Sequence, residues 1–216
     1  MTAPATPVGP YAARLTIDYP ERLDRVTTFF RLIWVIPIAI VLGVITGSGT
    51  QMMVTAAGGH IVGAGGGLLA GLAFATALMI VIRMRYPRWW FDFVLAFNRF
   101  GMRVGAYLAL LTDQYPSTED EQSVHLDLDY PDAREDLNRW LPLVKWLLAL
   151  PHYVVLLFLG LGAFVAVVIA WFAILFTGRY PRGLFDYVVG VGRWGLRVQA
   201  YAFLLLTDSY PPFSLR

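Results

Sequence analysis

The chain has 216 residues, 57% of them apolar and 15% charged, with a net charge of +2 and a mean hydropathy of +0.58. Soluble domains are nearer about 45–50% apolar and ~25% charged, so this composition points to a membrane protein. There is no cysteine, which excludes disulfides, thiolate metal sites and cysteine nucleophiles, and the small, locally balanced basic excess gives no sign of a nucleic-acid partner.

Residues 1–12 are rich in Pro and Ala and are expected to be disordered. The charged, acid-containing lead before the first apolar run is unlike the short basic segment of a cleaved signal peptide, so none is expected. Arg14–Tyr19 alternates apolar and polar residues, the period of a strand, and ends in Asp-Tyr-Pro. From Leu32 to Ile82 no charged residue occurs. A spanning helix needs about 20 apolar residues, so this run predicts membrane helices near 27–46 and 63–83. Between them, residues 47–62 form a Gly-rich loop. Gly63, Gly67 and Gly71 lie at GxxxGxxxG spacing, a stripe suited to close helix packing.

After Arg85-Tyr86-Pro87 comes an apolar helix with a narrow polar stripe, over about 89–111. Asp92, Arg99 and Arg103 share one face, with Tyr107 one turn further. Such a helix suits the membrane interface. Residues 117–123 form an acidic linker. His125–Tyr130 is again strand-like and again ends in Asp-Tyr-Pro. The second charge-free run, Trp146–Gly178, predicts spans near 140–159 and 161–178, with a tight turn at Leu-Gly-Leu-Gly and small residues Gly162, Ala166 and Ala170 on the last helix. A second interfacial helix, about 183–206, carries Asp186, Arg193, Arg197 and Tyr201.

The two halves match. Residues 85–116 and 179–211 agree at about 19 of 32 positions with one single-residue gap. The chain therefore reads as two tandem units, 13–116 and 124–216. Each is a strand, a pair of membrane helices and an interfacial helix. Because each unit has an even number of spans, the repeats are parallel, related by a pseudo-twofold axis along the membrane normal. All 17 Lys+Arg and 15 Asp+Glu then fall on the side of the termini or just inside it, and the positive-inside rule assigns that side to the cytoplasm. The two strands are expected to pair antiparallel across the axis, with cysteines at Ile17 and Leu128 as a cross-linking test.

The Asp-Tyr-Pro, Arg-Tyr-Pro…Phe-Asp and Thr-Asp-x-Tyr-Pro-Pro-Phe signatures resemble a bacterial, actinobacterial membrane-protein family that carries only a domain-of-unknown-function label. The resemblance covers nearly the whole chain after the first dozen residues. It implies a plasma-membrane location, and no activity, substrate or catalytic residue.

No HExxH, GxSxG or phosphate-loop motif occurs, and His60, His125 and His152 are far apart in sequence. The expectation is a protein that is not an enzyme and carries no cofactor or metal. Arg99, Arg103, Arg193 and Arg197 either hold lipid headgroups or a partner's carboxylates, or pair with acids of the other unit. Asp92 and Asp186 either belong to that surface or cap their helices. Arg31 and Lys145 lie at helix ends, where long side chains snorkel, and their places in the two units correspond only loosely. His152, beside Pro151, is the leading intramembrane polar candidate. Two functions remain: an accessory or scaffold protein binding membrane lipids, a partner membrane protein or a second copy, and a small channel or transporter subunit.

Overall fold

The computed structural model describes residues 11–46, 51–54, 60–63, 67–118 and 120–216. It is mostly helical, with two small two-stranded sheets. β1 (Ala13–Ile17) and β4 (Val124–Leu128) pair antiparallel with Leu15 opposite Leu126. Alternation decides which face is inside: Ala13, Leu15, Val124, Leu126 and Leu128 are buried, while Arg14 bridges Asp127 at 2.6 Å and Asp129 at 2.5 Å on the outer face. These carboxylates, Asp129 foremost, hold the Arg14 guanidinium above its ordinary pKa. A lone two-stranded ribbon is marginal in water, and this one rests β1 on α7 (Arg182–Ala202) and β4 on α4 (Arg88–Leu108). Ile17 faces Val124 and Leu128 faces Ala13. The expected cysteine pair therefore sits at opposite ends of the ribbon, and a disulfide needs facing positions such as Leu15 and Leu126.

α1 (Arg25–Trp34) starts at Asp24, whose carboxylate accepts from the N–H groups of Val26 and Thr27, both at 3.2 Å. The single helix expected over 27–46 is two. It breaks at Val35 and resumes as α2 (Ile36–Thr46), because Pro37 has no N–H to give the carbonyl one turn back. Within the expected loop, β2 (Gln51–Val54) pairs with β3 (His60–Gly63). Gly63 thus ends a strand and is not part of the glycine stripe; α3 runs Gly67–Arg83. At its end Met84 takes a positive φ of 48°, and the chain turns through Pro87 into α4.

The larger correction is in the second half. α5 (Lys145–Leu148) is a short helix that stops before Pro151, and α6 runs unbroken over Leu150–Thr177. Of the expected spans 140–159 and 161–178, residues 150–177 are therefore one helix with no turn at Gly160. A helical Gly costs about 1 kcal/mol against Ala. Breaking the helix inside an apolar run would orphan about four N–H and four C=O groups. Gly162 has a packing reason, since a Cβ there would meet the Tyr187 hydroxyl at 2.5 Å, whereas nothing among the described residues packs against Gly160. Gly178, in the left-handed conformation at φ 71°, ends the helix.

Four membrane-length helices are thus not present among the described residues. One, Leu150–Thr177, is long and apolar enough to cross a membrane. Its Ala166, Ala170 and Ile174 face the core, which they share with Leu15, Leu126, Phe91 and Phe185. Residues 1–10 of the expected disordered terminus lie outside the described residues, as does Glu119 of the linker. Tyr11 is held, its hydroxyl donating to the Ser209 carbonyl at 3.0 Å.

Candidate functional site

The polar side chains expected to face ligands turn largely inward, onto the backbone. Each strand of a two-stranded ribbon has one edge without a strand partner, and its carbonyls need donors. Arg99 Nε donates to Leu126 O at 2.9 Å, and Arg193 Nε to Leu15 O at 3.1 Å. Arg103 Nη1 donates to Ser117 O at 2.6 Å; Arg197 Nη1 donates to Ser214 O at 3.3 Å and Nη2 to Arg216 O. Among the described residues none of the four pairs with an acid, unlike the expected cross-unit ion pairs. Arg197 is buried, and this burial, with Arg193 nearby, lowers its pKa. Arg99 stays exposed.

Asp92 and Asp186 are exposed and are not caps. The cap positions belong to Pro87 and Pro181, whose carbonyls take the first amide bonds from Phe91 and Phe185. A residue one turn inside the helix finds its neighbouring N–H groups already used.

Tyr107 and Tyr201, each 2% exposed, belong to two buried cation sites that the sequence reading missed. Arg31 Nη1 donates to Tyr107 O at 2.7 Å and Thr112 O at 2.9 Å; Nη2 pairs with Asp113, and the guanidinium lies 4.4 Å from the Tyr107 ring centre. Lys145 Nζ donates to Thr207 O at 2.7 Å, pairs with Asp208 at 2.7 Å and lies 5.2 Å from the Tyr201 ring centre. The other oxygen of each carboxylate caps the approaching chain, accepting from Asp24 N at 2.7 Å and from Asn138 N at 2.5 Å. So the aspartates of the two Thr-Asp-x-Tyr-Pro signatures are counter-ions. A signal existed: Arg31 precedes Pro37 by six residues, and Lys145 precedes Pro151 by six. The two cations correspond, contrary to the loose relation expected.

Other contacts cross between the halves in pairs. Tyr19 Oη donates to Tyr180 O at 2.5 Å, and Tyr130 Oη donates to Tyr86 O. The Arg182 guanidinium lies 4.4 Å from the Tyr19 ring centre, and Arg88 lies 4.5 Å from that of Tyr130. Phe185 and Phe91 meet these two rings edge-on, at 5.0 and 5.2 Å. Burial holds the Tyr86 and Tyr180 hydroxyls above the ordinary tyrosine pKa.

His152 is fully buried. Trp194 Nε1 donates to its Nδ1 at 3.1 Å, Phe213 stacks on it at 4.0 Å, and Nε2 has no partner among the described residues. It packs as a core residue beneath the C-terminal segment. Among the described residues no group of three or more His, Asp or Glu is placed to hold a metal.

Two concavities among the described residues bear on function. One, of about 510 Å³, lies between α3, α4, α6 and α7, walled mainly by apolar side chains such as Leu72, Val94, Phe97 and Leu156. Its Asn98 and Gln199 bond each other at 3.0 Å. The other, of about 780 Å³, lies at the elbow between α3 and α4. It is lined by Arg83, Arg85, Arg88 and Arg134, none of which has an acid within ion-pair distance among the described residues, together with Asp132 and Asp136.

The arrangement is that of a helical protein with one membrane-length helix above a polar layer cross-tied by backbone bonds. Residues 140–214 match the model of a domain of unknown function (DUF4389). That stretch runs from the turn before α5 through α6 and α7, and it contains Lys145, His152, Tyr201 and Asp208. No curated protein and no solved structure gives a significant match.

Proposed function

We propose that this is a non-enzymatic accessory or scaffold protein of the bacterial plasma membrane, with both termini cytoplasmic, that binds lipid headgroups or a partner membrane protein through its polar layer. The observation that carries this reading is the outer face of α6, where Phe158, Phe164 and Phe176 are 67, 67 and 78% exposed. Three bulky rings so exposed on one helix suit hydrocarbon far better than water. Phe29, Ile33 and Trp34 of α1 and Phe74 and Ile82 of α3 extend the apolar surface.

The chain is further proposed to be two tandem copies of one unit. The sequence match between its halves and the paired Arg–carbonyl, Tyr–carbonyl and cation–aspartate contacts support this. The surface that meets headgroups is then carried by the arginines of the α3–α4 elbow, since those of α4 and α7 are committed to carbonyls. Guanidiniums free of carboxylates suit phosphate geometry. The transport alternative finds less support, because the concavity between the helices is walled mainly by apolar side chains, which offer an ion or polar solute few partners.

Native mass spectrometry of the protein extracted with its lipids tests the reading. Gln at Arg83, Arg85, Arg88 and Arg134 is expected to abolish co-purifying anionic lipid. Gln at Arg99, Arg103, Arg193 and Arg197 is expected to lower stability first. A bare wild-type protein with no lipid or partner would overturn the binding role.

A further inference from the structure

α6 is long enough to cross a bilayer, but its neighbours set its direction. His152 meets Trp194, while Tyr187 donates to Leu159 O at 3.0 Å and lies against Gly162. The N-terminal half of α6 therefore runs antiparallel along α7. α7 in turn runs along β1 and its continuation: Arg193 sits at Leu15, Phe185 and Tyr180 at Tyr19, and the Gly178 carbonyl accepts from Leu23 N at 3.0 Å. Helix and ribbon are thus roughly aligned. Because β1 and β4 are antiparallel, the α3–α4 elbow beside Tyr130 and the α6–α7 elbow beside Tyr19 stand at opposite ends of the ribbon.

An upright α6 would stand this whole assembly upright. Asp18 and His125, paired at 3.2 Å with side chains 70 and 55% exposed, lie level with Tyr187 and so with the middle of α6, and would then sit at mid-bilayer. One arginine-bearing elbow would be above and the other below. A charged side chain at the bilayer centre costs about 2.5–3.5 kcal/mol even on the mildest scale. On its side, the same assembly keeps every one of these charges on the water face. We infer that α6 lies in the plane of the membrane, within one leaflet, and that its face of Leu157, Phe158, Leu161, Phe164, Phe172 and Phe176 is the surface that contacts acyl chains.

The dimensions agree. A helix about 10 Å across fits a leaflet about 15 Å thick, half of a ~30 Å hydrocarbon core. Exposure along α6 is one-sided: Ala166, Ala170 and Ile174 face protein, and the stripe from Leu157 to Phe176 faces out. Both ends carry headgroup-seeking residues, Trp140 and Trp146 before α6 and Arg179 and Arg182 after it.

This inference rests on the membrane reading above, and the experiment separates the two. The chain has no cysteine of its own, so single cysteines report cleanly. Ser209→Cys marks the N-terminal end of α6, where Tyr210 Oη donates to Leu148 O at 3.2 Å. Gly183→Cys, with open space around it, marks the other end. In sealed vesicles of known orientation, an impermeant maleimide is expected to label both from the same side at a ratio near one. Spin labels at Leu157→Cys and Phe176→Cys are expected to report equal depth. Labelling from opposite sides, or depths in opposite leaflets, would overturn the in-plane inference alone. Recovery of the chain in the soluble fraction after alkaline extraction would overturn both it and the membrane reading.

Discussion

Arg31 in the first half and Lys145 in the second fill the same place with different chemistry. Each is buried, each pairs with the aspartate of a Thr-Asp-x-Tyr-Pro segment, and each lies over a tyrosine ring. Arg31 spreads its charge over two carbonyls and a carboxylate, whereas Lys145 relies on one carbonyl and a carboxylate. A guanidinium offers five donors in a fixed fork and an ammonium three at a point. The lesson is that one backbone arrangement tolerates either cation, while dependence on the aspartate differs between the two.

The largest expected effect breaks that comparison directly. Asp208→Ala leaves Lys145 buried with a single carbonyl and is expected to cost about 3–5 kcal/mol, the usual penalty for stranding a buried charge. Asp113→Ala leaves Arg31 two carbonyls, so about 1–3 kcal/mol is expected. Thermal unfolding in detergent, followed by tryptophan fluorescence, measures both. An Asp113 variant less stable than the Asp208 variant would sink the argument.

The tyrosine ties come next. Tyr19→Phe and Tyr130→Phe each remove a donor from a carbonyl of the other half and are expected to cost about 1–2 kcal/mol. Since the two sit at opposite ends of the ribbon, the double variant is expected to lose the sum. A markedly smaller double loss would mean that the halves separate once either tie is cut.

A third comparison has an internal control. His152 and Trp194 occupy the places that Ile38 and Phe100 hold in the first half, where the cluster with Val104 and Tyr107 is wholly apolar. His152→Ile and Trp194→Phe are each expected to cost about 1–2 kcal/mol, because each leaves a buried ring nitrogen without its partner. The double variant is expected to return near wild type, since removing both partners can be nearly neutral. A double variant as poor as the worse single would show that His152 does something the apolar pair does not.

What could be read from the chain and what could not divides along a physical line. The strands and the two polar-striped helices were legible because alternation and 3.6-residue periodicity report a half-buried surface. α6 was misread because Gly160 and Gly162 look like a turn, and only the Tyr187 hydroxyl reveals that Gly162 is there for close packing instead. The targets of Arg99 and Arg193 were invisible, since the carbonyls of Leu126 and Leu15 leave no trace in the choice of side chain. Asp113 and Asp208 were noticed as matching letters but not as counter-ions, because their partners lie 82 and 63 residues away in the chain.

The smallest expected effect concerns how the two halves begin their helices. Asp24 caps α1 with a carboxylate, while Asn138, its counterpart, makes a similar turn through an amide, accepting from Trp140 N at 3.0 Å. Hydrogen bonds from Thr27, side chain first and then backbone, hold the Asp24 carboxyl below its ordinary pKa. A group with a depressed folded pKa contributes stability above its unfolded value, about 3.9, and loses it as pH falls through the lower folded value. The Asp24 cap should therefore be at full strength at neutral pH and weaken only below about pH 4. Asp24→Asn makes the first half like the second and removes that titration. Wild type and variant are then expected to differ in the slope of stability against pH below about 4 and to run parallel above it. Parallel curves throughout would show that the carboxylate's charge is irrelevant and that any side-chain oxygen serves at this cap.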